Sequence, residues 1–192
     1  MNDFAFYFDL GWKHIISRNA LDHQLFIVTL AAIYLADNWK EILVLVTAFT
    51  VGHSLTLALS TYNLIQADPV WVEFLIPVTI LTTAVVNFFR RNFQPASYRL
   101  QYFLALSFGL IHGLGFANTI RFMLAESQSV TVPLLGFNVG LEAGQLLVVA
   151  LVLALSYLFV NKLSLKRKWW VWSLSAMALV WSAVLIIRNL PV

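Results

Sequence analysis

Hydrophobic residues are grouped along the chain into about six long runs with short polar connections between them. A membrane-spanning helix needs about 20 mostly apolar residues, and each run reaches that length or comes close to it. The predicted spans cover residues 20–39, 42–61, 71–89, 100–120, 132–160 and 169–187. Residues 4–17 are too few and too mixed to span comfortably, so they are predicted to form an interfacial or re-entrant helix.

Composition supports a membrane protein. Of the 192 residues, 60% are hydrophobic and 11% are charged, and the mean hydropathy is +0.81. Soluble domains carry about 25% charged residues, so a soluble enzyme and a disordered chain are excluded and no nucleic-acid partner is expected. The predicted fold is all-α, a polytopic membrane helical bundle forming one integral membrane domain over residues 1–192. No removable signal peptide and no convincing internal repeat are found.

Basic residues predict the orientation in the membrane. They are concentrated in the connections after the third and fifth runs, and the other long connections are nearly bare of Lys and Arg. By the positive-inside rule these two connections face the cytoplasm, which puts both termini outside. The residues concerned are Arg90, Arg91, Arg99, Lys162, Lys166, Arg167 and Lys168.

Polar residues interrupt the apolar runs at a small number of positions. A charged group at the centre of a spanning helix costs about 2.5–3.5 kcal/mol even on the lenient insertion scale, so such residues point to a function. All four histidines fall in or beside the runs, and one of them follows an acid. Asn138, Glu142 and Gln145 share one helical face. The candidate site residues are His14, Asp22, His23, His53, His112 and Glu142, supported by Ser54, Asn138 and Gln145.

A structural interpretation stands beside this one. A lone intramembrane histidine is commonly a packing residue, and polar side chains join helices at about 0.6 kcal/mol each on average. Gly109 and Gly113 form a G-x-x-x-G pair that favours close helix packing. Thr79, Thr83 and Asn87 form a stripe that predicts interhelical hydrogen bonds.

Several motifs together resemble the HupE/UreJ family of bacterial membrane proteins, in its shorter branch. They include Gly11-Trp12-Lys13-His14-Ile15 followed by Asp22-His23, and the segments at residues 49–57, 108–117 and 137–145. The resemblance implies a protein of the bacterial cytoplasmic (inner) membrane, either a nickel or cobalt permease or an accessory protein of hydrogenase and urease. Nickel permeases carry a histidine shortly before an Asp-His pair. Here the spacing from His14 to Asp22 is longer, which leaves open whether His14 joins the site.

Imidazole and carboxylate ligands suit a divalent transition metal such as Ni, Co or Zn, and the absence of cysteine argues against Cu(I). The expected partners are therefore a metal ion and the lipid bilayer. A membrane-embedded zinc hydrolase using the same residues is an alternative, and a structural or assembly subunit is another. For a permease, we expect a funnel that opens on the periplasmic side, with Asp22 and His23 at its mouth.

Overall fold

The computed structural model describes residues 3–17, 20–90, 98–123 and 130–191, and this part of the chain is helical without strands. The helices are α1 (Asp3–Ile16), α2 (Leu21–Ala31), α3 (Trp39–Thr61), α4 (Pro69–Phe89), α5 (Tyr98–Met123), α6 (Thr131–Ser156) and α7 (Arg167–Arg188). A 3-10 turn precedes α3 and a π-helical turn, Tyr157–Lys162, follows α6. The all-α prediction is confirmed. Arg91 and residues 124–129, used in the orientation argument, lie outside the described residues.

Within the described ranges, four helical segments are long and apolar enough to cross a membrane. They are Ala36–Thr61, Pro69–Phe89, Thr131–Lys162 and Arg167–Arg188, and shorter apolar helices cover Leu21–Ala31 and Gln101–Ala117. These segments make the chain a membrane protein.

The first predicted span is divided differently in the structure. Residues 20–39 do not form one helix, because α2 ends at Ala31. The carbonyl of Ile33 beyond that end accepts a hydrogen bond from Arg167 Nη2 at 2.5 Å, and the hydroxyl of Tyr34 donates to Gln101. Side chains of α7 and α5 thus satisfy the polar groups that follow the end of α2.

α1 and α2 lie one after the other along α6. Tyr7 and Ile15 of α1 pack in an apolar cluster with the first half of α6, whereas α2 packs in a second cluster with Val149 and Val152 of its later half. At about 1.5 Å per residue, helices of 14 and 11 residues are together about 37 Å long. That length exceeds the hydrocarbon thickness of about 30 Å, so α1 and α2 together are long enough to form one discontinuous helix across it. α1 is the predicted N-terminal interfacial or re-entrant helix.

A side chain stabilises the interruption. Gln24 Nε2 donates to the carbonyls of Ile15 and Ser17 at 2.8 and 3.0 Å. These carbonyls lie at the end of α1, where helical partners are lacking. The polar residue that begins α2 therefore caps the end of α1.

Glycines bring two pairs of helices into backbone contact. A Cβ added to Gly140 of α6 would lie 2.0 Å from the carbonyl oxygen of Phe8 in α1, and one added to Gly109 of α5 would lie 2.1 Å from that of Phe49 in α3. No side chain fits in either place. The predicted packing role of Gly109 is confirmed, and α1 and α6 use the same device.

The α4 and α7 helices close the side of the bundle. Pro77 lacks the N–H that would bond to the carbonyl of Glu73 one turn earlier, and that carbonyl accepts from Asn189 Nδ2 at 3.1 Å. Asn87 Nδ2 donates to the carbonyl of Thr29 at 2.9 Å and to Ser175 Oγ at 3.3 Å. The interhelical role predicted for Asn87 is therefore confirmed.

Candidate functional site

The four histidines lie together in the middle of the bundle. His23 is at the centre, with its ring centroid 4.9 Å from that of His14, 4.9 Å from His112 and 5.9 Å from His53. The rings come from α1, α2, α3 and α5. His23, His53 and His112 are at most 4% exposed. His23 therefore lies at the level of the other rings and not at the mouth of a span, whereas Asp22 lines a cavity that reaches the start of α4.

Asp22 fixes the protonation of His23. Its Oδ1 accepts from the backbone N–H of His23 at 2.8 Å and lies 3.1 Å from His23 Nδ1. An ionised carboxylate can only accept hydrogen bonds, so a neutral His23 ring carries its proton on Nδ1 and has its lone pair on Nε2. Nε2 is buried and has no hydrogen-bond partner in the described part of the chain. Carboxylate–histidine pairs of this kind orient the ligands of metal sites.

Thr79 is the hydrogen-bond partner of the His112 ring. The hydroxyl of Thr79 donates its single proton to the carbonyl of Ile76 at 2.7 Å and lies 3.2 Å from His112 Nε2. While it donates to this carbonyl, the hydroxyl can only accept from the ring, and this arrangement places the proton of His112 on Nε2. The other nitrogen, Nδ1, is buried without a partner among the described residues and has a free lone pair.

Phenylalanine rings from four helices enclose the cluster, namely Phe26, Phe49, Phe116 and Phe137. Within this apolar shell, both ring nitrogens of His53 and Nε2 of His14 also have no hydrogen-bond partner in the residues described. An unpaired buried polar group costs about 1–3 kcal/mol. Several such groups at one place indicate that the cluster is built to accept a ligand.

The rings do not point at a common position. As the side chains stand, the described chain contains no group of three or more His, Cys, Asp or Glu residues that could hold a metal ion. His23 meets His14, His53 and His112 at interplanar angles of 75°, 69° and 89°. Histidine χ2 is a broad torsion, so rotation of the rings is the change needed to direct the lone pairs to one point.

Glu142 lies in a neighbouring groove between α3 and α6. Its Oε1 accepts from Thr47 Oγ1 at 2.8 Å. The walls of this groove also include Ser54 and Asn138, but none of the four histidines. The Asn138 side chain lies beside His53, without a hydrogen bond of normal geometry between the two. The structure thus gathers His14, Asp22, His23, His53 and His112, with Asn138 at the edge, and Glu142 and Ser54 line the groove.

Gln145 is fully buried deeper along the same face of α6. Its Oε1 accepts from Thr50 Oγ1 at 2.8 Å. The predicted common face of Asn138, Glu142 and Gln145 is therefore turned toward α3, where its polar groups mainly contact threonines.

Cavities lie on two sides of the cluster. One is lined by Asp22 and reaches Glu73 and Asn189 where α4 begins and α7 ends. The other lies toward the far end of the bundle, is lined mainly by apolar side chains, and includes Phe26 and Arg90. Partial burial there lowers the pKa of Arg90. Phe26, which stacks on Phe49 at 4.9 Å, separates this second cavity from the rings.

Thr79 and the phenylalanines contact the histidines, but the sequence interpretation did not assign them to the site. Thr79 was visible as part of a polar stripe, but nothing in the sequence pairs it with His112. Phe49 and Phe116 lie four residues from His53 and His112, so the i, i+4 spacing was a usable signal.

Comparison with known proteins agrees with the motifs. The sequence profile of the family described as HupE / UreJ protein matches residues 1–188. No curated protein and no solved structure matches the chain. Since the family match covers nearly every residue, including all four histidines, the protein belongs to the HupE/UreJ family.

Proposed function

We propose that this protein is a divalent transition-metal permease of the nickel/cobalt type, located in the bacterial inner membrane. The cargo site consists of His14, His23, His53 and His112, and Asp22 orients His23. One observation carries this proposal. His23 Nε2 and His112 Nδ1 are buried nitrogens without a hydrogen-bond partner among the described residues, on rings whose centroids are 4.9 Å apart, at the interruption of a helix.

The chemistry of the cluster favours a borderline metal ion. Neutral imidazole binds Ni²⁺, Co²⁺ and Zn²⁺ well, and hard ions such as Mg²⁺ prefer oxygen ligands. The HupE/UreJ family is linked to nickel/cobalt transport or to urease and hydrogenase maturation, which agrees with this choice. The metal is cargo here, so a site whose ligands must rotate to bind it suits reversible capture better than permanent storage.

Transport is favoured over hydrolysis by the surroundings of the cluster. Discontinuous helices at mid-membrane are typical of substrate sites in secondary transporters, and α1 and α2 form such a helix. Cavities on both sides of the rings provide the start of a route to each face, with Phe26 as the barrier on one side.

The test uses purified protein reconstituted in proteoliposomes, with uptake of radioactive Ni²⁺ and equilibrium binding measured on the same preparation. His23→Ala and His112→Ala are expected to lose both binding and uptake, because each removes a prepared lone pair from a buried site. Phe122→Ala is the matched control, since Phe122 lies on the same helix as His112 and is 94% exposed.

Three outcomes contradict the permease. Unchanged Ni²⁺ binding in both histidine variants would show that the histidine cluster is not the metal site. Firm binding by the unmodified protein without uptake would favour a membrane-embedded zinc enzyme. Absence of binding would favour an assembly role.

A further inference from the structure

Two helix pairs in the bundle have the same packing in matching register. In the first pair, a Cβ on Gly11 of α1 would meet Phe137 O, and one on Gly140 of α6 would meet Phe8 O. In the second pair, the corresponding contacts are Gly109 of α5 with Phe49 O and Gly52 of α3 with Leu106 O. α1 therefore corresponds to α5, and α6 corresponds to α3.

The correspondence extends along both helices. Gly144 packs on Ile15 and on the carbonyl of Trp12. The equivalent residue, Thr56, packs on Gly113 and donates to the carbonyl of Leu110 at 2.8 Å. Residues of α1 thus correspond to residues of α5 that lie 98 positions later, and residues of α3 to residues of α6 that lie 88 positions later. The equivalent pairs are Phe8/Leu106, Gly11/Gly109, Trp12/Leu110, Ile15/Gly113, Phe49/Phe137, Gly52/Gly140 and Thr56/Gly144.

Short sequence motifs follow the same correspondence. G-x-x-H occurs at residues 11–14 and again 98 positions later at 109–112, and F-x-V-G occurs at 49–52 and again 88 positions later at 137–140. His14 and His112 are thus equivalent residues. Their ring centroids are both 4.9 Å from His23, which places His23 between the two halves.

Equivalent helices run in opposite directions. The start of α4 contacts the end of α7 through Glu73 and Asn189, while Asn87 near its end contacts Ser175. Val46, early in α3, packs in the same cluster as residues late in α6, and Leu57, late in α3, packs with Leu134. In the glycine contacts α1 runs parallel to α6 and α5 runs parallel to α3, so α1 and α5 are opposed as well. The chain therefore divides into residues 3–90 and 98–191, two halves of inverted topology.

The contact between α3 and α6 is asymmetric about this pseudo-twofold axis. On one side, Thr47 Oγ1 donates to Glu142 Oε1 at 2.8 Å. The equivalent pair consists of Leu135 and Ser54, which line the groove from opposite helices. The hydroxyl of Ser54 donates to the carbonyl of Thr50 in its own helix instead. A hydrogen bond thus joins the two helices at Thr47 and Glu142, whereas at the equivalent pair the hydroxyl of Ser54 bonds within its own helix.

We propose that the two halves exchange these arrangements, so that the protein is an alternating-access carrier with His23 near its pivot. In the second conformation Ser54 and Leu135 come into contact, as Thr47 and Glu142 are in the present one. The contact between Thr47 and Glu142 is then lost, and the groove opens at that pair. Inverted repeats with a central site are the basis of this mechanism in many transporters. The inference rests on the proposed function only for the identity of the cargo.

The test uses cysteine pairs, because the native chain has no cysteine. Ser54→Cys/Leu135→Cys is expected to form a disulfide in membrane vesicles treated with diamide, an oxidant without metal. The cross-linked protein should lose Ni²⁺ uptake, regain it on reduction, and still bind Ni²⁺. Thr47→Cys/Glu142→Cys supplies the reference yield, since that pair is in contact in the present conformation.

Val51→Cys/Val139→Cys is the matched control. Val51 and Val139 are equivalent to each other and line the same groove, so their separation is the same in both conformations, and a cross-link between them should leave uptake intact. Failure of the Ser54/Leu135 disulfide to form while the Thr47/Glu142 disulfide forms fully would overturn the exchange. Disulfide formation is read on a gel without Ni²⁺, so a protein that forms it but carries no Ni²⁺ would refute the cargo and leave the exchange standing.

Discussion

From the hydrogen bond between Thr79 and His112 we predict that loss of the Thr79 hydroxyl weakens Ni²⁺ binding. Thr79→Val keeps the shape of the side chain but removes the acceptor that holds the His112 proton on Nε2. His112 is 1% exposed, so water cannot replace the hydroxyl. The ring must either leave a buried N–H unpaired, at a cost of about 1–3 kcal/mol, or move the proton to Nδ1, the nitrogen proposed to bind the metal.

The expected effect is a loss of about 10–100-fold in Ni²⁺ affinity, the range found when a partner of a metal-binding histidine is removed. Isothermal titration calorimetry on the detergent-solubilised protein measures it. Nitrogen-15 NMR of labelled histidines gives a second readout, since the shifts of Nδ1 and Nε2 distinguish the two tautomers. Thr79→Ser, which retains the hydroxyl, should restore both measurements.

Thr79→Val also removes a hydrogen bond to a backbone carbonyl, and Thr82→Val is the control for that loss. Thr79 and Thr82 lie on the same helix and each donates to a backbone carbonyl, at 2.7 and 2.8 Å. Thr82 is exposed and bonds to no histidine. Wild-type affinity and an unchanged His112 tautomer in Thr79→Val would refute the reasoning, as would an equal loss in Thr82→Val.

Three further predictions test the acid, the packing and the orientation. Asp22→Asn should weaken Ni²⁺ binding about 10–100-fold with little change in thermal stability, because the amide cannot fix the proton on the neighbouring ring as the carboxylate does; calorimetry checks this. Gly140→Ala should lower stability by about 1–3 kcal/mol because its Cβ would overlap a backbone oxygen, as thermal unfolding in detergent would show. Gly115→Ala meets only the side-chain methyls of Ile76 and Val72, at 3.1 and 3.6 Å, and should be tolerated. A membrane-impermeant thiol reagent added to cells with a permeabilised outer membrane should label Asp3→Cys and not Lys166→Cys, and the reverse pattern would invert the topology.

The hydrophobic pattern was sufficient to predict an all-helical membrane bundle. Long apolar runs must be helical in a bilayer, because only an internally bonded backbone is tolerated there. The cost of polar groups in such runs also points to the four histidines and Asp22, which the structure brings together. Gly109 was correctly assigned to packing because small residues have that role in most membrane helices.

The interruption between α1 and α2 could not be read from the pattern. Residues 20–39 have the length and composition of a span, but partners on distant helices decide where α2 ends, among them Arg167 on the carbonyl of Ile33. The break is what brings His23 to the level of His53. Hydropathy describes the preference of a segment for lipid and contains no information about such contacts.

The same limit applies to the partners of the site and to the relation between the halves. Glu142 and His53 both interrupt apolar runs, yet rotation about the helix axes directs the acid to Thr47 and the histidine into the ring cluster. The repeated G-x-x-H and F-x-V-G motifs are short, and their spacing changes from 98 to 88 positions, so the sequence alone gives no convincing repeat. Sequence determined which residues are costly in a membrane and therefore informative. Only the tertiary structure decided which of them meet, because that depends on helix rotation, crossing and register, which are set by contacts between residues far apart in the chain.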